Sequence, residues 1–258
     1  MNKNEWTKKI ALISTRPHKT NIKLSVDLKN SSISLLDYPL TEIYPLDNYK
    51  IFDGILKNLK IYHHIIFIST NSVHFFLERV KKQSINIPKS LIFSCIGPTT
   101  KSLLQKNLSV NIHSPENHFD SEHLLKKEIL SGVRERKILI IRGKGGRETL
   151  KNELEKRGAD VSYGECYIRK YVNINLFHLK NDLTKYNHKF MLISSTNSAK
   201  HLINQLIDIE KCWLHNIKII VNHNKIRDQL SAIFKHILVS ENIELQKLKE
   251  LIATETLD

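Results

Sequence analysis

A chain of 258 residues can bury a sizeable core and accommodates one large α/β domain or two of roughly 120 residues each. Its three cysteines, Cys95, Cys166 and Cys212, share no close spacing, which argues against a disulfide framework or a structural zinc site, and all three are expected to be reduced and buried. The formal charge of +14 is compatible with nucleic acid, a membrane surface or an acidic ligand. Lys and Arg are nevertheless strewn along a Lys-, Asn- and Ile-rich chain without a basic arm, so codon bias accounts for the charge as readily as a ligand does.

The opening MNKNEWTKKIALISTRP holds one short apolar run, too little for a signal-peptide core or a membrane span, so a cytoplasmic protein without membrane association is expected. Strand-like runs follow in chain order near 10–14, 64–69, 91–96, 138–142, 190–195 and 217–221. Helix-like stretches separate most of them. After IIFIS, the residues Val73, Phe76, Leu77 and Val80 recur at helical spacing and define one apolar face. Strands alternating with helices imply a parallel sheet covered on both sides.

The chain also repeats itself. ISTNSV at 68–73 returns as SSTNSA at 194–199, so Ser69 and Ser195 lie 195 − 69 = 126 positions apart. The same shift carries the apolar face onto Ala199, Leu202, Ile203 and Leu206, and carries LIFSCI onto the segment ending IKIIVN. Run backwards, it places Arg142 on Arg16 and Gly143 on Pro17. The fold class is therefore read as α/β with two similar domains, one from 1–37 plus 173–258 and the other from 38–172. They are joined by a two-stranded connection through PLTEIYPL (39–46) and ECYIRKYV (165–172), with a deep interdomain cleft between them.

In open parallel sheets ligands sit beyond the carboxyl ends of the strands. The residues expected there are Thr15 and Arg16, Ser69 to Ser72, Gly97 to Thr100, Arg142 to Arg147, Ser194 to Ser198, and Asn222 to Lys225. Each hydroxyl or amide among them reads equally as a helix N-cap. The glycine segment ILIIRGKGGRETL fails the Walker pattern, because Ile138 stands where the first glycine belongs and Gly145 follows Lys144. It fails the dinucleotide pattern at Glu148. What remains is a helix N-terminus with free N–H groups beside Arg142 and Arg147, suited to carboxylates as well as phosphates, or else a tight turn in which Arg142 packs structurally. The helix beyond is expected to turn Leu150 and Leu154 inward, pair Glu153 with Arg157 and stop at Gly158.

No nucleophile elbow, HExxH spacing or pair of acidic residues occurs at these strand ends, so neither a metal nor glycosidase or phosphoryl-transfer chemistry is expected. An enzyme built this way works by positioning and electrostatics. Tyr167, at the domain crossover, is the one ionisable group singled out by location, and it reads either as a functional phenol or as a buried aromatic with a satisfied hydroxyl.

The run ILIIRGKGGRETLKNELEKRGADVSYGECYIR closely resembles the most recognisable stretch of uroporphyrinogen-III synthases, and TRP (15–17), IGPTT (96–100) and the paired TNS loops fall where that family places its cleft elements. The resemblance covers nearly the whole chain and is most specific over 138–169. It implies two α/β domains on a two-stranded ladder, a monomer, and no metal or organic cofactor. The implied substrate is hydroxymethylbilane, a linear tetrapyrrole with eight carboxylates, and the implied product is uroporphyrinogen III, in which ring D is inverted. By the same resemblance Tyr167 is the candidate proton donor to the departing hydroxyl. Arg16 and Arg142 supply positive potential, and the segments with Ser69, Thr70 and Asn71, with Gly97, Thr99 and Thr100, with Gly143, Gly145 and Gly146, and with Ser195, Thr196 and Asn197 hold carboxylates.

The chain departs from the family pattern in three segments. Thr-Ser-Pro is common in the paired loops, where this chain has Ile68-Ser69-Thr70 and Ser194-Ser195-Thr196. Ser-Glu-Arg is common where it has His223-Asn224-Lys225. The implied partner is hydroxymethylbilane synthase, met transiently. Two rivals stand beside the synthase: a catalytically weakened tetrapyrrole-binding or pathway-scaffolding protein of the same fold, and a basic nucleic-acid-binding protein.

Overall fold

The computed structural model describes residues 9–207, 212–240 and 243–257. In chain order the elements are β1 (Ile10–Ser14), α1 (His18–Leu28), β2 (Ile33–Asp37), β3 (Thr41–Pro45), α2 (Lys50–Lys57), β4 (His64–Phe67), α3 (Thr70–Lys82) and β5 (Ile92–Cys95). Then come α4 (Pro98–Asn107), β6 (Ile112–His113), α5 (Ser121–Leu124), β7 (Lys137–Gly143), α6 (Thr149–Lys156) and β8 (Asp160–Tyr171). The chain continues with α7 (Leu176–Leu183), β9 (His188–Ile193), α8 (Thr196–Gln205), β10 (Lys218–Val221), α9 (Asn224–Leu230), β11 (Ile237–Val239) and α10 (Leu245–Thr254). Among the described residues no helix is long and apolar enough to cross a membrane.

Two compact units result. One runs to Glu42 and resumes at Lys170, and the other is Ile43–Arg169. The sheet of the first has the order β11-β10-β9-β1-β2, and that of the second the order β3-β8-β7-β4-β5-β6. The 126-residue shift converts one into the other: β5 (Ile92–Cys95) falls on β10 (Lys218–Val221), α2 (Lys50–Lys57) on α7 (Leu176–Leu183), and β7 on β1. Among the described strands only β3, the outer strand beside β8, lacks a counterpart in the other sheet.

Within each unit the period of two along the strands sorts side chains into two cores. In the first unit Ala11, Ile13, Met191 and Ile193 meet α7, α8 and α9, whereas Ile10, Leu12, Phe190 and Leu192 meet α1 and α10. In the second, Ile65, Phe67, Leu139 and Ile141 meet α2, α3 and α4, whereas Ile66, Ile138 and Ile140 meet α5 and α6. Burial on both faces is why these strands read as unbroken branched runs. The half-exposed edge strand β2, with one buried residue in five, carried no such signal and was not among the predicted strands.

Packing also overrides propensity. The first turns of α3, Thr-Asn-Ser-Val, consist of mediocre helix formers that cost up to about 0.7 kcal/mol each relative to Ala. Full burial of Val73 and Phe76 returns about 1.5–3 kcal/mol apiece and decides the matter. β4 and β9 stop at Phe67 and Ile193, short of their predicted ends, because Ser69 and Ser195 turn away to cap α3 and α8.

Candidate functional site

At the carboxyl end of the second unit's sheet, β7 and β8 run in parallel register until Arg142 faces Glu165, after which Gly143 faces Tyr167 and Cys166 is skipped. This irregularity turns both Cys166 and Tyr167 toward the same core. The Tyr167 ring stacks on Phe75 at 5.6 Å and 22°. It also lies over Gly143, where an added Cβ would stand 2.4 Å from ring carbon Cε2, so only glycine fits there. The hydroxyl of Tyr167 is 3.2 Å from Ser69 Oγ, and the residue is only 2% exposed. Tyr167 is therefore a nearly sealed phenol whose partner is another hydroxyl.

Ser69 and Ser195 both serve as N-caps, accepting from the N–H of Ser72 and Ser198. In α3 the motif is reciprocal, with Ser69 N–H donating to Ser72 Oγ at 3.1 Å. Thr70, Asn71, Thr196 and Asn197 occupy the first turns that follow. α4 differs. It opens on Gly97 and Pro98 with no side-chain cap, which leaves the N–H groups of Thr99 and Thr100 unclaimed by one, and Thr100 is buried at its start. In the equivalent α9 the cap is His223, whose ring accepts from Lys225 N–H at 3.2 Å.

The glycine loop corrects three expectations. α6 begins at Thr149, beyond the glycines, so Gly143 ends β7 and Lys144 to Glu148 form a loop rather than a helix N-terminus. Two loop amides are already engaged: Lys144 N–H donates to Tyr167 O at 2.7 Å, and Gly145 N–H to Glu165 Oε1 at 3.0 Å. Glu153 pairs with Lys156 at 2.6 Å, while Arg157 donates to the carbonyls of Leu125 and Leu130, so the expected Glu153–Arg157 pair does not form. Gly158 does sit at φ +83° just past the helix.

Arg142 is buried under this loop. Its guanidinium donates to the carbonyls of Gly143, Gly145 and Arg147 and to Glu148 Oε1 at 3.2 Å, and it lies 4.3 Å from the centre of the Tyr163 ring. Gly145 at φ +73° and Gly146 at φ +115° wrap the chain around it, and a Cβ on Gly146 would come within 2.6 Å of Arg142 Nη2. The Tyr163 hydroxyl, then Arg142, holds the Glu148 carboxyl below its ordinary value. The charge of Arg142 is thus consumed in building the loop.

Its counterpart Arg16 is arranged otherwise. Arg16 is half-buried, and among the described residues its guanidinium has neither a hydrogen-bond partner nor an ion pair. Burial pulls it down from the ordinary arginine value. The neighbouring Thr15 is spent structurally, donating to Leu192 O at 2.8 Å. A desolvated, unpartnered guanidinium suits a carboxylate brought by a ligand.

Two cysteines are buried as expected. Burial pushes the Cys95 thiol up to about 11, and the Cys166 thiol higher still, so neither is a ready nucleophile. Cys212 is exposed, contrary to expectation, because it opens a 3-10 turn (Cys212–Asn216) that buries Leu214 instead. Among the described residues no three His, Cys, Asp or Glu side chains gather as a metal site. Sequence reasoning missed Glu148, Tyr163, Glu165 and Phe75, which shape the loop and hold Tyr167. Only the alternation of Tyr163 and Glu165 along β8 and the place of Phe75 on α3 could have pointed to them, and Glu148, the N-cap residue of α6, carries no such signal.

Two permuted copies of one parallel α/β unit, each with polar loops at the carboxyl end of its sheet, define a duplicated α/β protein. The family model described as Uroporphyrinogen-III synthase HemD matches residues 23–250. A uroporphyrinogen-III synthase of Proteus mirabilis is 28% identical over 164 residues, 64% of this chain and 82% of that one. In fold, the chain resembles a mutant uroporphyrinogen III synthase of Thermus thermophilus, with a TM-score of 0.63 at 13% identity, covering 95% of this chain and 99% of that one. It also resembles the uroporphyrinogen-III synthetase of Helicobacter pylori, with a TM-score of 0.55 at 19% identity and the same coverage. The chain belongs to the uroporphyrinogen-III synthase family.

Proposed function

We propose that this protein is a cofactor-independent lyase that closes hydroxymethylbilane to uroporphyrinogen III with loss of water and inversion of ring D, serving tetrapyrrole biosynthesis in the cytoplasm. Family membership supports the reading. The single observation that supports it on this chain is Arg16, a half-buried guanidinium without an acidic partner among the described residues, just beyond the carboxyl end of β1.

The reaction needs no nucleophile. Loss of the terminal hydroxyl leaves an electrophilic azafulvene on ring A, ring D attacks through its substituted carbon to give a spiro intermediate, and fragmentation and reclosure invert the ring. Left alone, the bilane closes to the uninverted isomer, so the protein's task is to impose one folded conformation and to stabilise the developing cation. In this reading Arg16 and the first-turn N–H groups near Ser69 to Asn71, Thr99 and Thr100, and Ser195 to Asn197 take carboxylates. Arg142, Gly145 and Gly146 hold the shape of the wall. Tyr167 supplies the proton for the departing hydroxyl through Ser69 Oγ. The protein acts as a monomer and receives its substrate from hydroxymethylbilane synthase in a transient contact. The test is the isomer ratio formed from freshly made hydroxymethylbilane against an enzyme-free blank.

A further inference from the structure

At the carboxyl end of the first unit's sheet a second polar network stands apart from these roles. Ser14 Oγ donates to Asn21 Oδ1 at 2.6 Å, and Asn21 Nδ2 donates to Arg16 O at 2.9 Å and also to Asp37 Oδ1. Ser14 and Asn21 are buried. The other carboxylate oxygen of Asp37 meets His18 Nδ1, and Glu42 Oε1 accepts from the His18 backbone N–H at 2.8 Å. Among the described residues, Asp37 from β2 and Glu42 from β3 are the charged groups in contact with His18, and Asn21 lies one turn along its own helix.

A surface His–Asp pair alone would mean little, since exposed ion pairs contribute on the order of 0–1 kcal/mol and form readily. Here the carboxylate is pinned on its far side by a buried amide, so it cannot swing, and it assigns Nδ1 of His18 as the bonded nitrogen. Nε2 is left outward on a side chain that is 62% exposed. The arrangement is built once: the 126-residue shift puts Arg147 and Tyr163 where Asn21 and Asp37 stand. Asn21 also anchors the backbone of Arg16, so one buried amide holds both the unpartnered cation and the oriented imidazole.

We propose that His18, oriented by Asp37 and positioned by Asn21, is a proton-transfer group of the ring closure and accepts through Nε2 the proton that the pyrrole carbon releases when the last carbon–carbon bond forms. The inference rests on the synthase reading. Cleavage of the C–O bond takes up one proton as water leaves, and rearomatisation after closure returns one. With Tyr167 giving the first and His18 taking the second, exchange with solvent restores both groups and no co-reactant is consumed.

The test uses the full chain with freshly made hydroxymethylbilane, comparing wild type, His18→Ala, His18→Gln and Asp37→Asn across pH, with and without added imidazole. We expect His18→Ala and His18→Gln to lower kcat by about 10- to 100-fold with KM little changed, to flatten the acid limb of the pH profile, and in the alanine variant to be partly restored by imidazole. Asp37→Asn should fall between these variants and wild type. Full activity with an unchanged pH profile in His18→Ala overturns the proposal, as does a defect confined to KM. Both leave type III production by wild type intact, whereas a wild type that makes only the type I isomer at the blank rate removes the synthase reading itself.

Discussion

The ring of Tyr167 occupies the space that any side chain at position 143 would need, with Cε2 at 2.4 Å and Cζ at 2.7 Å from a Cβ built on Gly143. Gly143→Ala must therefore displace a ring that also stacks on Phe75 and reaches Ser69. We expect a loss of about 1–3 kcal/mol by thermal or denaturant unfolding, together with a fall in type III formation larger than that stability loss explains. An alanine variant as stable and active as wild type would show that the ring has somewhere else to go.

Tyr167→Phe separates the hydroxyl from the ring. The stacking and the fit over Gly143 are retained, so stability should change by no more than about 1 kcal/mol, the value of one hydrogen bond. Type III formation should slow by about tenfold or more if the phenol supplies the proton through Ser69. An unchanged rate removes the hydroxyl from the chemistry.

Arg16 and Arg142, equivalent under the chain repeat, should behave as opposites. Arg142 satisfies three loop carbonyls and Glu148, so Arg142→Ala should cost about 2 kcal/mol or more and disorder the loop. Arg16 lacks such partners among the described residues, and Arg16→Met should leave stability unchanged or slightly raised while KM increases about tenfold or more. Urea unfolding and steady-state kinetics on the two variants decide it, and equal stability losses would contradict the assignment.

His64 gives a pH dependence. It is buried against Ser94 Oγ at 2.7 Å, and burial, with a smaller push from His113, pulls its imidazole down to about 4. The unfolded chain, with an ordinary histidine near 6.5, binds the proton more readily. The stability carried by neutral His64 is therefore fully present above about pH 6.5 and is lost as pH falls toward about 4, on the order of 3 kcal/mol in all. Unfolding followed from about pH 7 to about pH 4.5 should show a shallower slope in His64→Gln than in wild type. Identical slopes would exclude the effect.

The architecture was legible because buried parallel strands write themselves as branched runs, and because the serine-capped starts of α3 and α8 repeat almost unchanged after 126 residues. The local chemistry was less so. Nothing in the spacing of Arg142 and Glu148 distinguishes a guanidinium spent on its own loop from one offered to a ligand, and the difference from Arg16 emerges only when partners are in place. Ser14, His18, Asn21 and Asp37 carry no hydrophobic period, and they are joined by a crossover that puts the ends of β1 and β2 side by side. Half-exposed β2 and the turn bearing Cys212 escaped for the same reason, since weak burial leaves little pattern.

The most direct test of the central claim is the isomer composition of the product. Purified protein given freshly generated hydroxymethylbilane, with no added metal or cofactor, should form uroporphyrinogen III well above the blank rate, with type I as the minor isomer after oxidation and chromatography. Product that is mainly type I, appearing at the rate of the enzyme-free control, would contradict the account.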